Sequence, residues 1–123
     1  MGGLETHVFD LCKALHRRGH QAILHSPFIE DILRNRLERI GVIFTSQPEN
    51  EKFDIIHGHP WTWGLLRSLE ISIYTARPLV VTYHGLYRVV WDELRRHNAQ
   101  VIAVSPEVRA HLGHGVVIEN GVD

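Results

Sequence analysis

Residues 78–85, PLVVTYHG, decide the fold. A valine-rich apolar run follows Pro78 and stops at His84-Gly85, which predicts a short strand over residues 78–83. The run lacks the alternation of apolar and polar residues that a half-solvated strand shows, so both of its faces are expected to be covered. Runs of the same kind predict further strands over 21–25, 42–44, 53–57, 101–104 and 116–118.

The segments between these runs have the spacing of amphipathic helices. One buried stripe marks a first helix that stops before Gly19 and consists of Leu4, Val8, Leu11, Cys12 and Leu15. Further helices are predicted over 29–40, 61–73, 87–96 and 106–112, the last with Ser105 as its cap and Pro106 in its first turn. Strands that alternate with helices predict an α/β fold, a Rossmann-like parallel sheet with helices on both faces.

Composition fits a single domain over residues 1–123, with 44% hydrophobic and 22% charged residues. The net charge of −1 gives no electrostatic reason to expect a nucleic-acid partner. No apolar run approaches the ~20 residues of a membrane-spanning helix. Cys12 is the only cysteine, which excludes an internal disulfide and fits a cytoplasmic setting.

Polar residues follow most of the predicted strands. They are His25-Ser26, His57-Gly58-His59, His84-Gly85, Ser105 and Asn120-Gly121. In open parallel sheets the ligand site lies at the carboxyl ends of the strands, so this edge is the predicted site. His84 is the candidate for proton transfer or for a hydrogen bond to a sugar hydroxyl. The alternative is a histidine that is hydrogen-bonded within its loop.

His57 and His59 are spaced i, i+2, which places both imidazoles on one face of a strand. A zinc site would need a third ligand, for which His25 or His84 would have to come close in the fold. Cys12 lies within a helix stripe and is not expected to supply a thiolate. A substrate-facing or structural role is favoured for the pair, and no metal or other cofactor is predicted.

Two further features point to ligands at this edge. Gly2-Gly3 leads into the first helix, where free N–H groups favour an anion such as a diphosphate, although a flexible terminus would have the same sequence. Trp61, Trp63 and Tyr87 follow strand ends and would stack on a sugar or bury an acceptor. Packing of these aromatic side chains onto the sheet is the alternative.

Basic residues are concentrated on two predicted helices. They are Arg34, Arg36 and Arg39 on one and Arg95-Arg96 on the other. These clusters would allow peripheral contact with an anionic membrane surface. The alternative is an ordinary solvated helix face.

Five segments together resemble family four retaining glycosyltransferases. The first segment, residues 2–20, has GGLETH at 2–7 and LCKALHRRGH at 11–20 and resembles the family's GG-x-E…L-x-x-x-L-x-x-x-GH opening. The other four are similar to the family's later strands and turns, and they are 53–59 (FDIIHGH), 78–85 (PLVVTYHG), 101–105 (VIAVS) and 118–123 (IENGVD). The segments occur in the family's order along the whole chain. The resemblance therefore carries more weight than any one motif.

The resemblance implies the acceptor-side N-terminal domain of a two-domain GT-B enzyme. A full enzyme of this kind transfers a hexosyl group from a nucleotide-sugar donor to a lipid, saccharide or small-molecule acceptor, with retention and without a metal. By position, Gly2 and Gly3 would approach the donor diphosphate, and His84 would be the catalytic residue near the transferred sugar. The acceptor would meet His57, His59, Trp61 and Tyr87, with Ser105 and Asn120 elsewhere in the cleft.

The sequence departs from the family pattern in two ways. Members have an apolar central strand before the glycine pair and a C-terminal donor domain after the NGVD segment, and neither is expected within these 123 residues. The isolated chain is therefore expected to be inactive, with an open sheet edge that would allow homo-oligomers. The alternatives are a non-catalytic sugar- or partner-binding module, a subunit of a split transferase and a small metalloprotein.

Overall fold

A computed structural model of the chain describes residues 3–27, 29–59, 62–86 and 90–119. In these ranges helices and strands alternate, with a short 3-10 helix (Pro48–Asn50) between the second and third strands. The helices are α1 (Gly3–Arg17), α2 (Asp31–Arg39), α3 (Thr62–Thr75), α4 (Trp91–Arg96) and α5 (Pro106–Leu112), and the strands are β1 (Ile23–Leu24), β2 (Ile43–Phe44), β3 (Ile56–Gly58), β4 (Leu79–Tyr83), β5 (Gln100–Ala103) and β6 (Val116–Val117). The described residues up to Glu51 form one compact unit, and those from Lys52 form a second.

The first unit contains α1, α2 and a two-stranded parallel sheet. Ile23 of β1 pairs with Ile43 of β2, and Leu24 pairs with Phe44. The buried core of this unit comes from both helices and the residue before β2, and consists of Phe9, Cys12, Leu33, Leu37 and Val42. The apolar stripe predicted for the first helix is therefore confirmed at Cys12.

The second unit is built on a four-stranded parallel sheet in the order β3-β4-β5-β6. Alternate residues of its two central strands are buried against α3, α4 and α5. This core contains Leu65, Leu69, Leu79, Val81, Tyr83, Trp91, Leu94, Val101, Ala103, Val108 and Leu112. Because side chains alternate along a strand, the odd-numbered residues of β4 and β5 all lie on the face covered by these helices.

The α/β class and the parallel pairing of the strands are confirmed, as is the strand over 78–83. The described strands form two sheets, β1-β2 and β3-β4-β5-β6, rather than one. The single domain predicted over residues 1–123 stays a prediction.

Two predicted boundaries differ from the structure by three residues or more. The strand expected over 53–57 begins only at Ile56, whose N–H donates to the carbonyl of Pro78. Since the partner strand β4 starts directly after that proline, no strand among the described residues lies beside residues 53–55. The helix expected over 87–96 begins at Trp91, because Val90 has a left-handed φ of 50°, and residues 87–89 lie outside the described residues.

The turn after α3 generates a prediction about stability. Ala76 follows the helix with a φ of 55°, which costs an L-residue energy and suits glycine. The hydroxyl of Ser72, donating to the carbonyl of Arg77, holds this turn. Ala76→Gly is expected to raise the free energy of unfolding by about 0.5–1 kcal/mol, measured by urea denaturation.

Ala110→Gly is the matched control, since Ala110 is exposed within α5. Glycine there should lower the free energy of unfolding by about 0.5–1 kcal/mol. Equal destabilisation by both substitutions would show that Ala76 does not have the left-handed conformation.

A second prediction concerns Cys12, which is only 6% exposed in the core of the first unit. Burial raises the pKa of its thiol to about 11 from an ordinary 9.0, because desolvation disfavours the thiolate. At pH 8 the thiolate fraction of Cys12 in the folded chain is then about a hundredfold lower than that of a cysteine with the ordinary pKa, since each pKa unit is a factor of ten. Iodoacetamide should alkylate the folded chain at least about a hundredfold more slowly than the urea-unfolded chain.

The same shift links the thiol to folding. Because the pKa of Cys12 is raised in the folded state, its contribution to stability is complete below about pH 9 and is lost as the pH rises towards 11. Cys12→Ala should remove this part of the alkaline destabilisation. Equal alkylation rates for the folded and unfolded chains would contradict the buried position of the thiol.

Candidate functional site

Three histidines lie at the carboxyl-terminal edge of the four-stranded sheet. His57 lies within β3, His59 directly follows that strand, and His84 directly follows β4. All three side chains are half-buried. We call these three residues the histidine row.

Strand alternation explains why the histidines face away from the helical core. Gly58 lies between His57 and His59 and points to the opposite face, where α3 packs. A Cβ atom at Gly58 would come within 2.9 Å of the Cβ of Ser68 and 3.2 Å of the Cγ1 of Val81. Only glycine therefore allows α3 to approach β3 this closely.

The rings of the row contact one another in sequence. The imidazoles of His57 and His59 are stacked, with centroids 4.2 Å apart and planes 28° apart. The ring of His59 lies 5.9 Å from that of His84, at an angle of 36°. The prediction that His57 and His59 share one face is confirmed, and the structure also brings His84 next to them.

Thr82 is a residue of this edge that the sequence did not single out. Its Oγ1 lies 2.6 Å from Nε2 of His57, and the residue is 2% exposed. The alternation of β4 already placed Thr82 on the face of Val80, but the partner of its hydroxyl depends on the register between β3 and β4. A metal at His57 would have to use Nδ1 or displace this hydroxyl.

The backbone of His59 is also closely packed. A Cβ atom at Gly64 would lie 2.6 Å from the carbonyl oxygen of His59. Glycine at position 64 thus allows the start of α3 to approach the end of β3. The carbonyl of His59 therefore lies against the first turn of α3.

Ser105 lies after β5, at the same edge as the row. Its Oγ accepts a hydrogen bond from the N–H of Val108 at 3.2 Å, so the predicted helix cap is confirmed. A contact of Ser105 with a ligand in the cleft stays a prediction.

The remaining predicted ligand contacts divide between described and undescribed residues. Gly3 is the first residue of α1, and Glu5 places a negative charge in the first turn of that helix. Gly2, Trp61, Tyr87 and Asn120 lie outside the described residues. The roles assigned to all of these positions stay predictions.

His25, a candidate third metal ligand in the sequence, belongs to the first unit. Its Nδ1 donates a hydrogen bond to the carbonyl oxygen of Thr45 at 3.0 Å. The bond fixes this ring against the loop that follows β2 and fits a structural histidine.

Two of the arginines proposed for membrane contact, Arg34 and Arg36, make local interactions. Arg34 pairs with Glu38 at 2.9 Å and lies over the ring of Phe44, while Arg36 lies over the ring of Phe9. Among the described residues, no helix is long and apolar enough to cross a membrane. Peripheral membrane contact stays a prediction.

β6 forms one edge of the four-stranded sheet. Val116 and Val117 of this strand are both exposed, and β6 pairs only with β5 among the described strands. Homo-oligomers through a sheet edge stay a prediction.

Comparison with known proteins identifies the family. A sequence profile described as Glycosyltransferase Family 4 matches residues 1–123. The chain belongs to glycosyltransferase family 4. No curated protein and no solved structure matched it. The family predicted from the five sequence segments is thus confirmed, and the parallel α/β architecture is consistent with the N-terminal domain of a GT-B glycosyltransferase.

The close contact between Gly58 and α3 yields a prediction about this family 4 domain. Gly58→Ala should lower the free energy of unfolding by about 2 kcal/mol, because the added methyl group overpacks against Ser68. Ser68→Gly removes the side chain that the methyl group meets. In that background Gly58→Ala should cost less than half as much, as measured by urea denaturation of the four variants in a double-mutant cycle.

The cycle discriminates between two origins of the effect. Additive costs would show that Gly58 is needed for backbone conformation rather than for the approach of α3, contrary to this packing.

Proposed function

We propose that the chain is the acceptor-side domain of a retaining hexosyltransferase that uses a nucleotide-sugar donor. The observation that supports the proposal is the histidine row at the carboxyl edge of a parallel sheet in a family 4 chain. This edge is where parallel α/β folds bind their ligands.

The chemistry of imidazole suits a site for sugar hydroxyls. Each neutral ring offers one N–H donor and one acceptor nitrogen, so a row of rings can both donate to and accept from a polyol. The ordinary pKa of imidazole also lies close to neutrality, which allows proton transfer near the reacting centre. In the proposal His84 contacts the transferred sugar as the catalytic residue, and His57 and His59 contact the acceptor.

The donor side needs a different chemistry. Departure of a nucleoside diphosphate develops negative charge, which cationic side chains and helix N-termini stabilise. We assign only Gly2 and Gly3 to the diphosphate, and Glu5 in the first turn of α1 adds a negative charge near that position. Transfer is therefore proposed to require cationic groups from a second domain, so that these 123 residues alone bind acceptor without turnover.

Binding can be tested directly on the chain. Saturation-transfer difference NMR with methyl α-D-glucoside, methyl α-D-mannoside and myo-inositol is expected to detect millimolar binding of at least one probe. His59→Ala should weaken that binding about tenfold, because loss of one ligand hydrogen bond costs about 1.4 kcal/mol. His111→Ala is the matched control, since this exposed histidine lies in the last turn of α5 and outside the row.

Two results would contradict the acceptor assignment. One is an equal loss of binding in the His59→Ala and His111→Ala variants, and the other is the absence of saturation transfer from all three probes. The rate at which the wild-type chain releases UDP from UDP-glucose or GDP from GDP-mannose is expected to equal the rate of the His84→Ala variant. Turnover above that control would support the transferase assignment and overturn the need for a second domain.

A further inference from the structure

We infer that Thr82 is a positioning residue for the histidine row. Its hydroxyl holds the ring of His57 in one orientation, and the stacked rings pass that orientation on to His59, next to His84. The importance of this arrangement for catalysis rests on the proposed function. The orientation itself can be measured without any sugar.

The position of Thr82 follows from the parallel register of β3 and β4. His57 pairs with Val80 and Gly58 pairs with Val81, so Thr82 lies one pair further towards the carboxyl edge. Side chains two residues apart on a strand share a face, which puts Thr82 diagonally beside His57 on the face opposite Gly58 and Val81. The 2.6 Å contact between Oγ1 and Nε2 is the result.

A hydroxyl suits this contact better than most other groups. It can donate to an unprotonated Nε2 or accept from a protonated one, so the hydrogen bond persists when the imidazole changes tautomer or charge. Since Thr82 is 2% exposed, water does not compete for its hydroxyl. Thr82 can therefore keep one ring orientation through a cycle of proton transfer.

An imidazole needs such a restraint. Rotation about the bond that joins the ring to Cβ is broad, because it has no sharp staggered minima. Rotation of the His57 ring about this bond would change the angle of 28° between its plane and that of His59, and the two rings would no longer be stacked. The contact between the rings of His59 and His84, whose centroids are 5.9 Å apart, depends in turn on the position of the His59 ring.

The experiment separates the hydroxyl of Thr82 from its methyl group. Thr82→Val keeps the size of the side chain but removes the hydroxyl, whereas Thr82→Ser keeps the hydroxyl and removes the methyl group. The measurement is the set of NOE contacts between the ring protons of His57, His59 and His84 in the folded chain. The matched control is Ile102→Val, because Ile102 of β5 pairs with Thr82 of β4 and lies on the same face of the sheet.

Thr82→Val is expected to abolish the NOE between His57 and His59 and to weaken the one between His59 and His84. Thr82→Ser and Ile102→Val are expected to retain both. Wild-type NOEs in Thr82→Val, or equal losses in the Val and Ser variants, would overturn the inference. If Thr82→Val does not fold, Thr82→Ala against Thr82→Ser makes the same comparison.

The outcomes also distinguish this inference from the proposed function. Expected NOE changes without any glycoside binding would leave the positioning role intact and remove the acceptor role. Glycoside binding with unchanged NOEs in Thr82→Val would leave the acceptor role intact and remove the positioning role of Thr82.

Discussion

The pairing of β3 with β4 is the constraint on which the candidate site depends. Its register joins Ile56 to Leu79, His57 to Val80 and Gly58 to Val81. A slip of one residue would reverse the faces of β3, turning its histidines towards the helices and Gly58 away from them. Two features oppose such a slip: the start of β4 after Pro78, and the fit of Gly58 beneath Ser68 of α3.

This register divides the second unit into two faces with different tasks. Val81, Tyr83, Val101 and Ala103 are buried with α3, α4 and α5, where apolar burial stabilises the fold. Val80, Thr82 and the histidine row belong to the other face. One face can thus keep a well-packed core while the other keeps polar groups at the carboxyl edge, and a substitution such as Ile102→Val can test the second face without entering the helical core.

Prediction from the sequence succeeded where the signal was local. The strand over 78–83, the stripe that includes Cys12 and the Ser105 cap need only residues close in the chain, since propensity, periodicity and capping act over one or two turns. The prediction was wrong at residues 53–55 and at Val90. In the first case the missing factor was a neighbouring strand to pair with, and in the second it was the conformation of a single residue before α4.

The sequence by itself determined the α/β class, the family and the residue types at the carboxyl edge, because each strand end and each family motif consists of residues that are contiguous in the chain. Alternation along β3 was enough to place His57 and His59 on one face. Only the tertiary structure decided that their rings stack, that His84 lies beside them and that Thr82 bonds to His57. The contacts of Thr82 with His57 and of His84 with His59 each join residues 25 positions apart. The geometry of the row is set by strand register and by the packing of α3, which no local pattern specifies.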